Sequence, residues 1–106
     1  MGFFDLFRRE NIDQGVETFH ITPGGVLLDV RTPEEFAQGH IPGSVNLDVR
    51  ELSAGAERLP KKDTPLFVYC HSGARSGQAV MMLRQMGYTN AVNIGGIMDY
   101  HGQIER

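Results

Sequence analysis

The chain has 106 residues, of which 41% are hydrophobic and 22% charged, and its formal net charge is −3. This length and balance predict one compact domain and exclude a disordered chain. A weakly acidic charge argues against a nucleic-acid partner, which usually selects a basic patch, and no apolar run approaches the ~20 residues that span a bilayer.

The N-terminal residues 1–10 are interpreted as an extension of the domain. Their aromatic stretch, MGFFDLFRR, is expected to cap the domain's own core, with a short interfacial membrane anchor as the alternative. No secretory segment is recognisable there. The chain also has a single cysteine, Cys70, which stays a free thiol in a reducing compartment, so we expect a cytoplasmic protein.

The first half of the chain alternates helices with strands. A first helix is predicted in NIDQGVETFHI, where Ile12, Val16 and Phe19 have helical spacing and Asn11 can act as the cap. The apolar run VLLDV is typical of a strand buried on both faces. A second helix is predicted in TPEEFAQG, with Thr32 as its cap, and a short strand in SVNL.

The second half continues this alternation. We predict a weak helix in RELSAGAERLP, a buried strand in PLFVYC, a clear helix in RSGQAVMMLRQMG, a strand in AVNIGG and a frayed terminal helix in IMDYHGQIER. The pattern indicates an α/β domain with a largely parallel sheet, whose functional groups lie at the carboxyl ends of the strands. Asp29, Cys70 and Gly95 fall at or just beyond such ends.

The stretch YCHSGARS places Cys70 at the end of a strand and before a loop of small residues. Gly73 lets the backbone curl, so that successive N–H groups can form an anion-binding nest at the start of the next helix. Such a nest, with Arg75 close by, would lower the thiol pKa from about 8.5 and activate Cys70 as a nucleophile.

Two other interpretations of Cys70 remain open at this point. A lone cysteine in a buried strand is often an inert hydrophobic residue. A metal site is disfavoured, because the four histidines lack the close pair spacing of zinc ligands: His20, His40, His71 and His101.

Three segments together resemble a single-domain rhodanese, a sulfurtransferase, in their order and spacing: LLDVRTPEEFAQGHIPGSVNL, VYCHSGARS and NIGGI. The resemblance runs from about Val26 to Tyr100. It implies a rhodanese-like domain over residues 11–106, with three α/β/α layers and a mostly parallel sheet of about five strands. It also implies that Cys70 takes a sulfane sulfur from thiosulfate or a polysulfide and passes it, as a persulfide, to cyanide or to a thiol, including a protein thiol.

The same resemblance assigns roles around Cys70. Substrate would bind to six loop residues: His71, Ser72, Gly73, Ala74, Arg75 and Ser76. The backbone amides from His71 to Arg75 would cradle the persulfide, and Arg75 would assist anion binding. The Asp29–Arg31 pair would support the loop, with Glu35 holding that network; the alternative for the pair is a surface ion pair worth about 0–1 kcal/mol. No cofactor and no metal are expected.

Two alternative functions share this fold. Related phosphatases and arsenate reductases place the arginine after five intervening residues, whereas four separate Cys70 from Arg75, which favours sulfur transfer. A non-catalytic binding module is the other alternative. His71 stands where many relatives carry arginine or lysine; a neutral imidazole makes the pocket less positive, and imidazoles change charge near pH ~6.5.

Overall fold

The computed structural model describes residues 11–59 and 61–106. The predicted roles of residues 1–10 lie outside this part of the chain. Its helices and strands, in chain order, are α1 (Ile12–His20), β1 (Val26–Asp29), α2 (Pro33–Gln38), β2 (Ser44–Asn46), α3 (Leu52–Gly55), β3 (Leu66–Cys70), α4 (Ala74–Gln85) and β4 (Ala91–Gly96). None of the helices in these two ranges is long and apolar enough to cross a membrane.

The starts of α1 and α2 follow the sequence signals. The Asn11 side chain accepts a hydrogen bond from the Asp13 amide. At α2 the Thr32 hydroxyl accepts from the Glu35 amide, and the Glu35 carboxylate accepts in return from the Thr32 amide. This reciprocal capping box satisfies N–H groups that have no partner within the helix. Both predicted caps are confirmed.

The four strands form one all-parallel sheet in the order β2–β1–β3–β4. Val68 pairs with Asn93 and Tyr69 pairs with Gly95, so the register skips Ile94 at a β-bulge. About five strands were expected from the resemblance. The described residues form four strands, and the segments between those strands are helices or turns. One isolated bridge, between His40 and Glu105, lies outside the strands.

Helices cover both faces of this sheet, as predicted for a three-layer fold. Alternate residues of β3 face opposite sides: Val68 and Cys70 contribute to the core beneath α3 and α4, while Phe67 and Tyr69 contribute to the core beneath α1. Every residue of β3 is buried. The central strand therefore carries Cys70 from the core to the carboxyl edge of the sheet.

The predicted terminal helix is wrong. Only a single 3-10 turn forms, at Ile97–Asp99. Further on, Glu105 exchanges two backbone hydrogen bonds with His40, at 2.9 and 2.8 Å. Gly102 interrupts the helical pattern, and pairing with His40 satisfies backbone groups that a frayed helix would leave to water.

The contact between α1 and β4 predicts the effect of a small substitution. A Cβ added at Gly15 would lie 2.6 Å from the Cβ and Cγ2 atoms of buried Ile94. Gly15→Ala should therefore lower the free energy of unfolding by about 1–3 kcal/mol, despite the better helix propensity of alanine. Urea unfolding measures this change.

Gly77→Ala is the matched control within α4. The nearest atom to its added Cβ, Asn93 Nδ2, lies 3.4 Å away, which is an ordinary contact distance. This variant should be neutral or more stable by up to ~1 kcal/mol. Equal stabilities for the two variants would contradict the packing argument.

Candidate active site

Cys70 ends the central strand β3, and its side chain is fully buried. Residues 70–76, which we call the cradle, lead from this strand into the first turn of α4. Gly73 has φ +102° and ψ −8°, a left-handed conformation that disfavours side chains. This turn brings the Gly73 amide to the Cys70 sulfur, to which it donates at 3.0 Å. The Gly73 amide is therefore one of the inward-pointing N–H groups that the predicted nest requires, and anion binding by this loop stays a prediction.

The environment of the sulfur favours the thiolate. Burial raises the thiol pKa, but hydrogen bonds from the Ser76 hydroxyl and from the amides of Ser76, Gly73 and Ser72 outweigh it, so that the pKa of Cys70 is lowered. The Ser76 hydroxyl lies 3.4 Å from the sulfur. The N-terminus of α4 contributes in the same direction through its dipole.

The end of β4 packs directly against the backbone of cradle residues His71 and Ser72. A Cβ at Gly96 would overlap the His71 carbonyl oxygen and would lie 2.6 Å from the Ser72 Cα. The Met98 amide donates to the His71 carbonyl at 3.2 Å. The sequence analysis singled out Gly95 at this strand end. The residue that permits the close approach is its neighbour Gly96, and the GG pair was the available signal.

Arg75 is held by an ion pair between α4 and α2. Its two terminal nitrogens donate to the two oxygens of Glu35 at 2.7 and 3.0 Å. These bonds, partly opposed by burial and aided by Thr32, lower the pKa of Glu35 to about 2. The charge of Arg75 also interacts with Cys70 and with Asp48, a buried acid that the sequence analysis missed.

Asp29 and Arg31 form a buried ion pair, whereas the sequence left a surface pair open as an alternative. Arg31 Nη2 donates to Asp29 Oδ2 at 2.7 Å and to the Gly39 carbonyl at 2.7 Å. The guanidinium lies 5.8 Å from the ring centre of Tyr69, the residue before Cys70. Tyr69 is therefore one connection between the pair and the cradle, and Glu35, whose charge interacts with Arg31 and which bonds to Arg75, is another.

Glu35 was expected to hold this same network. Its hydrogen bonds join it to Arg75 and Thr32, and its charge also interacts with that of Arg31. Glu35 therefore connects the start of α2 to the cradle side of α4.

Asn93 joins the site from β4, although no sequence pattern predicted a role for it. Its Nδ2 donates to the Gly73 carbonyl at 3.0 Å, and its Oδ1 accepts from the Ser76 hydroxyl at 2.7 Å. A polar residue placed just before a GG pair, near the end of a predicted strand, was the only sequence signal for it.

The remaining predicted loop residues form the outer surface of the cradle. His71, Ser72 and Ala74 are exposed, so the His71 side chain lies at the rim of the cradle, while its backbone carbonyl accepts from the Met98 amide. Within residues 11–59 and 61–106, no group of three His, Cys, Asp or Glu side chains is placed to hold a metal ion.

The Rhodanese-like domain family matches residues 10–103. The thiosulfate sulfurtransferase PspE of Escherichia coli strain K12 is 41% identical over 73 residues, which cover 68% of this chain and 70% of PspE. The human thiosulfate:glutathione sulfurtransferase is 37% identical over 83 residues, which cover 66% of this chain and 72% of the relative.

A solved structure described as rhodanese with anions from E. coli has the same fold. It superposes with a TM-score of 0.70 and 36% identity, covering 77% of this chain and 98% of that chain. The fold, the family match and the sequence identities agree with one another and with the resemblance noted in the sequence. The chain belongs to the rhodanese-like domain family.

Proposed function

We propose that this protein is a sulfurtransferase that moves a sulfane sulfur from thiosulfate or a polysulfide to cyanide or a thiol through a persulfide on Cys70. The observation that carries the proposal is the Cys70 sulfur at the centre of hydrogen-bond donors from Gly73 and Ser76. The names of two relatives, a thiosulfate sulfurtransferase and a thiosulfate:glutathione sulfurtransferase, support it. A cytoplasmic location is part of the proposal and rests on the single free thiol.

In the first step the Cys70 thiolate attacks the outer sulfur of thiosulfate. The electron pair of the thiolate forms the new S–S bond, and the S–S bond of the donor breaks. Sulfite leaves with that bond's electron pair. The negative charge of the thiolate now lies on the terminal persulfide sulfur, and the amides from His71 to Arg75 are the proposed donors to it.

In the second step cyanide or a thiolate attacks the terminal persulfide sulfur. A new bond forms to the acceptor, the persulfide S–S bond breaks, and Cys70 leaves as a thiolate. The hydrogen bonds that lower the thiol pKa also stabilise this leaving group. One set of donors therefore serves both halves of the cycle.

Arg75 acts in this proposal through its charge. Two of its side-chain N–H groups donate to Glu35, and its positive charge favours an anion near Cys70. Because Glu35 offsets that charge and His71 replaces a fixed cation at the rim, we expect weaker attraction of the thiosulfate dianion than a lysine or arginine at position 71 would give.

Sulfur loading tests the proposal directly. After incubation with thiosulfate, intact-protein mass spectrometry should show the added mass of one sulfur atom, and Cys70→Ser should show none. A second incubation uses polysulfide and a small-molecule persulfide. The proposal is wrong if wild type gains sulfur from none of these donors, or if its main Cys70-dependent activity is hydrolysis of an aryl phosphate.

Removing the Ser76 hydroxyl should raise the thiol pKa. Ser76→Ala removes one hydrogen bond to the thiolate, which corresponds to about one pKa unit. Since the thiolate is the reactive form, the pH profile of alkylation by iodoacetamide should shift to higher pH. Cys70 is the only cysteine, so the rate reports on this site. Ser53→Ala, at an exposed position of α3, should leave the profile unchanged.

The Glu35–Arg75 pair should make stability depend on pH. The pKa of Glu35 is about 2 in the folded protein, against an ordinary 4.5, so its contribution is present above pH 4.5 and is lost as pH falls toward 2. The side chains are about one-third exposed, at 36% and 32%, which limits the contribution to about 1 kcal/mol.

Urea unfolding of Glu35→Gln and wild type measures this contribution. The difference between them should be present at neutral pH and should shrink as pH falls. Glu34→Gln, on the exposed face of α2, should remain near wild type throughout. A difference that is independent of pH would contradict the assignment.

A further inference from the structure

Asn93 contacts the cradle with both ends of its side-chain amide. Its Nδ2 donates to the Gly73 carbonyl at 3.0 Å, while its Oδ1 accepts from the Ser76 hydroxyl at 2.7 Å and from the Gly95 amide at 3.0 Å. Three partners therefore fix which end of the amide is oxygen and which is nitrogen. The hydrogen bond from the Gly95 amide to the Asn93 side chain spans the β-bulge, where the register skips Ile94.

Gly73 is consequently held from two sides. Its amide donates to the Cys70 sulfur, and its carbonyl accepts from Asn93. Glycine at φ +102° is a flexible point of the chain. That carbonyl also accepts from the Gly77 amide at 3.1 Å, the first hydrogen bond of α4, so Asn93 adds a second donor that ties Gly73 to the neighbouring strand β4.

Ser76 has one hydroxyl proton and two strong candidates to accept it. Asn93 Oδ1 lies 2.7 Å away and the Cys70 sulfur 3.4 Å away. The shorter bond to Asn93 keeps the hydroxyl beside the sulfur while the thiol is neutral. When the sulfur carries charge, the hydroxyl can turn to it, because a hydrogen bond to an anion is stronger than one to an amide oxygen.

We propose that Asn93 is the positioning residue of the cradle: it fixes the Gly73 amide on the Cys70 sulfur and keeps the Ser76 hydroxyl within reach of it. Its catalytic consequence rests on the proposed function. Sγ carries charge as the attacking thiolate and as the leaving group, and Ser76 donates to it then. In the persulfide Sγ is a neutral bridging sulfur, and the hydroxyl returns to Asn93.

Asn93→Asp is the informative substitution because it keeps the shape of the side chain. It keeps an oxygen for Ser76 and Gly95, replaces the donor to the Gly73 carbonyl by an acceptor, and adds a negative charge near the sulfur. Each of the last two changes disfavours the thiolate. The thiol pKa of Cys70, read from the pH profile of iodoacetamide alkylation, should rise by about one unit or more.

Asn90→Asp is the matched control. It adds the same charge just before β4, at the opposite end of that strand, on an exposed residue. Its alkylation profile should match wild type. A purely structural role for Asn93 predicts lower thermal stability with an unchanged alkylation profile in the folded variant, and that result would overturn the proposal.

A second variant covers the case in which Asn93→Asp does not fold. Asn93→Ser is too short to reach the Gly73 carbonyl and adds no charge. At a pH where Cys70 is fully ionised, its rate of sulfur uptake from thiosulfate should fall at least about threefold, since the cradle is no longer fixed. An unchanged rate would overturn the proposal.

These readouts separate the present inference from the proposed function. Alkylation requires no sulfur transfer, so a profile shifted to higher pH in Asn93→Ser, which adds no charge, supports the positioning role even if wild type accepts no sulfur. Normal sulfur uptake by wild type together with an unshifted Asn93→Asp profile would instead sustain the proposed function and refute the role of Asn93.

Discussion

A thiolate enclosed by protein is unfavourable unless hydrogen-bond donors replace the water that it loses. The side chain of Cys70 is buried at the end of the central strand, so its chemistry depends on donors supplied by the chain itself. The left-handed turn at Gly73 and the first turn of α4 supply them. The other features of the site hold this turn in place.

The parallel sheet explains why those features converge. Because all four strands run the same way, the end of β3 with Cys70 lies beside the end of β4 with its two glycines. The lack of a side chain at Gly96 lets the cradle rest on β4, and the bulge brings Asn93 toward the cradle from the same strand. On the other side, α2 reaches Arg75 through Glu35. The sheet thus positions the Cys70 sulfur, while Asn93 from β4 and Glu35 from α2 hold the residues around that sulfur.

Local patterns predicted the fold well because they act through short-range rules. The caps at Asn11 and Thr32, the apolar strands and the α4 helix each depend on residues close in sequence. The terminal helix failed because its competitor was a distant backbone partner, His40, which no local pattern encodes.

The candidate site likewise contains residues that local patterns predict and residues brought together only by contacts distant in sequence. The cradle is contiguous, so spacing and small residues were enough to indicate Cys70 and the loop that follows it. Two of the three partners of Asn93 lie on the cradle, 17 and 20 residues away, and Glu35 bonds to Arg75 at a separation of 40. The burial of Asp29 and Arg31 likewise depends on the packed sheet edge. Such contacts require the assembled sheet, which is why the sequence indicated Cys70 and its loop, and the family resemblance indicated Asp29, Arg31 and Glu35, while Asn93 was not indicated.

The single cysteine has one more consequence, for recovery from oxidation. A sulfenic acid on Cys70 would have no second thiol in the same chain with which to form a disulfide, because the sequence contains no other cysteine. A thiol that resolves such a sulfenic acid therefore comes from another molecule.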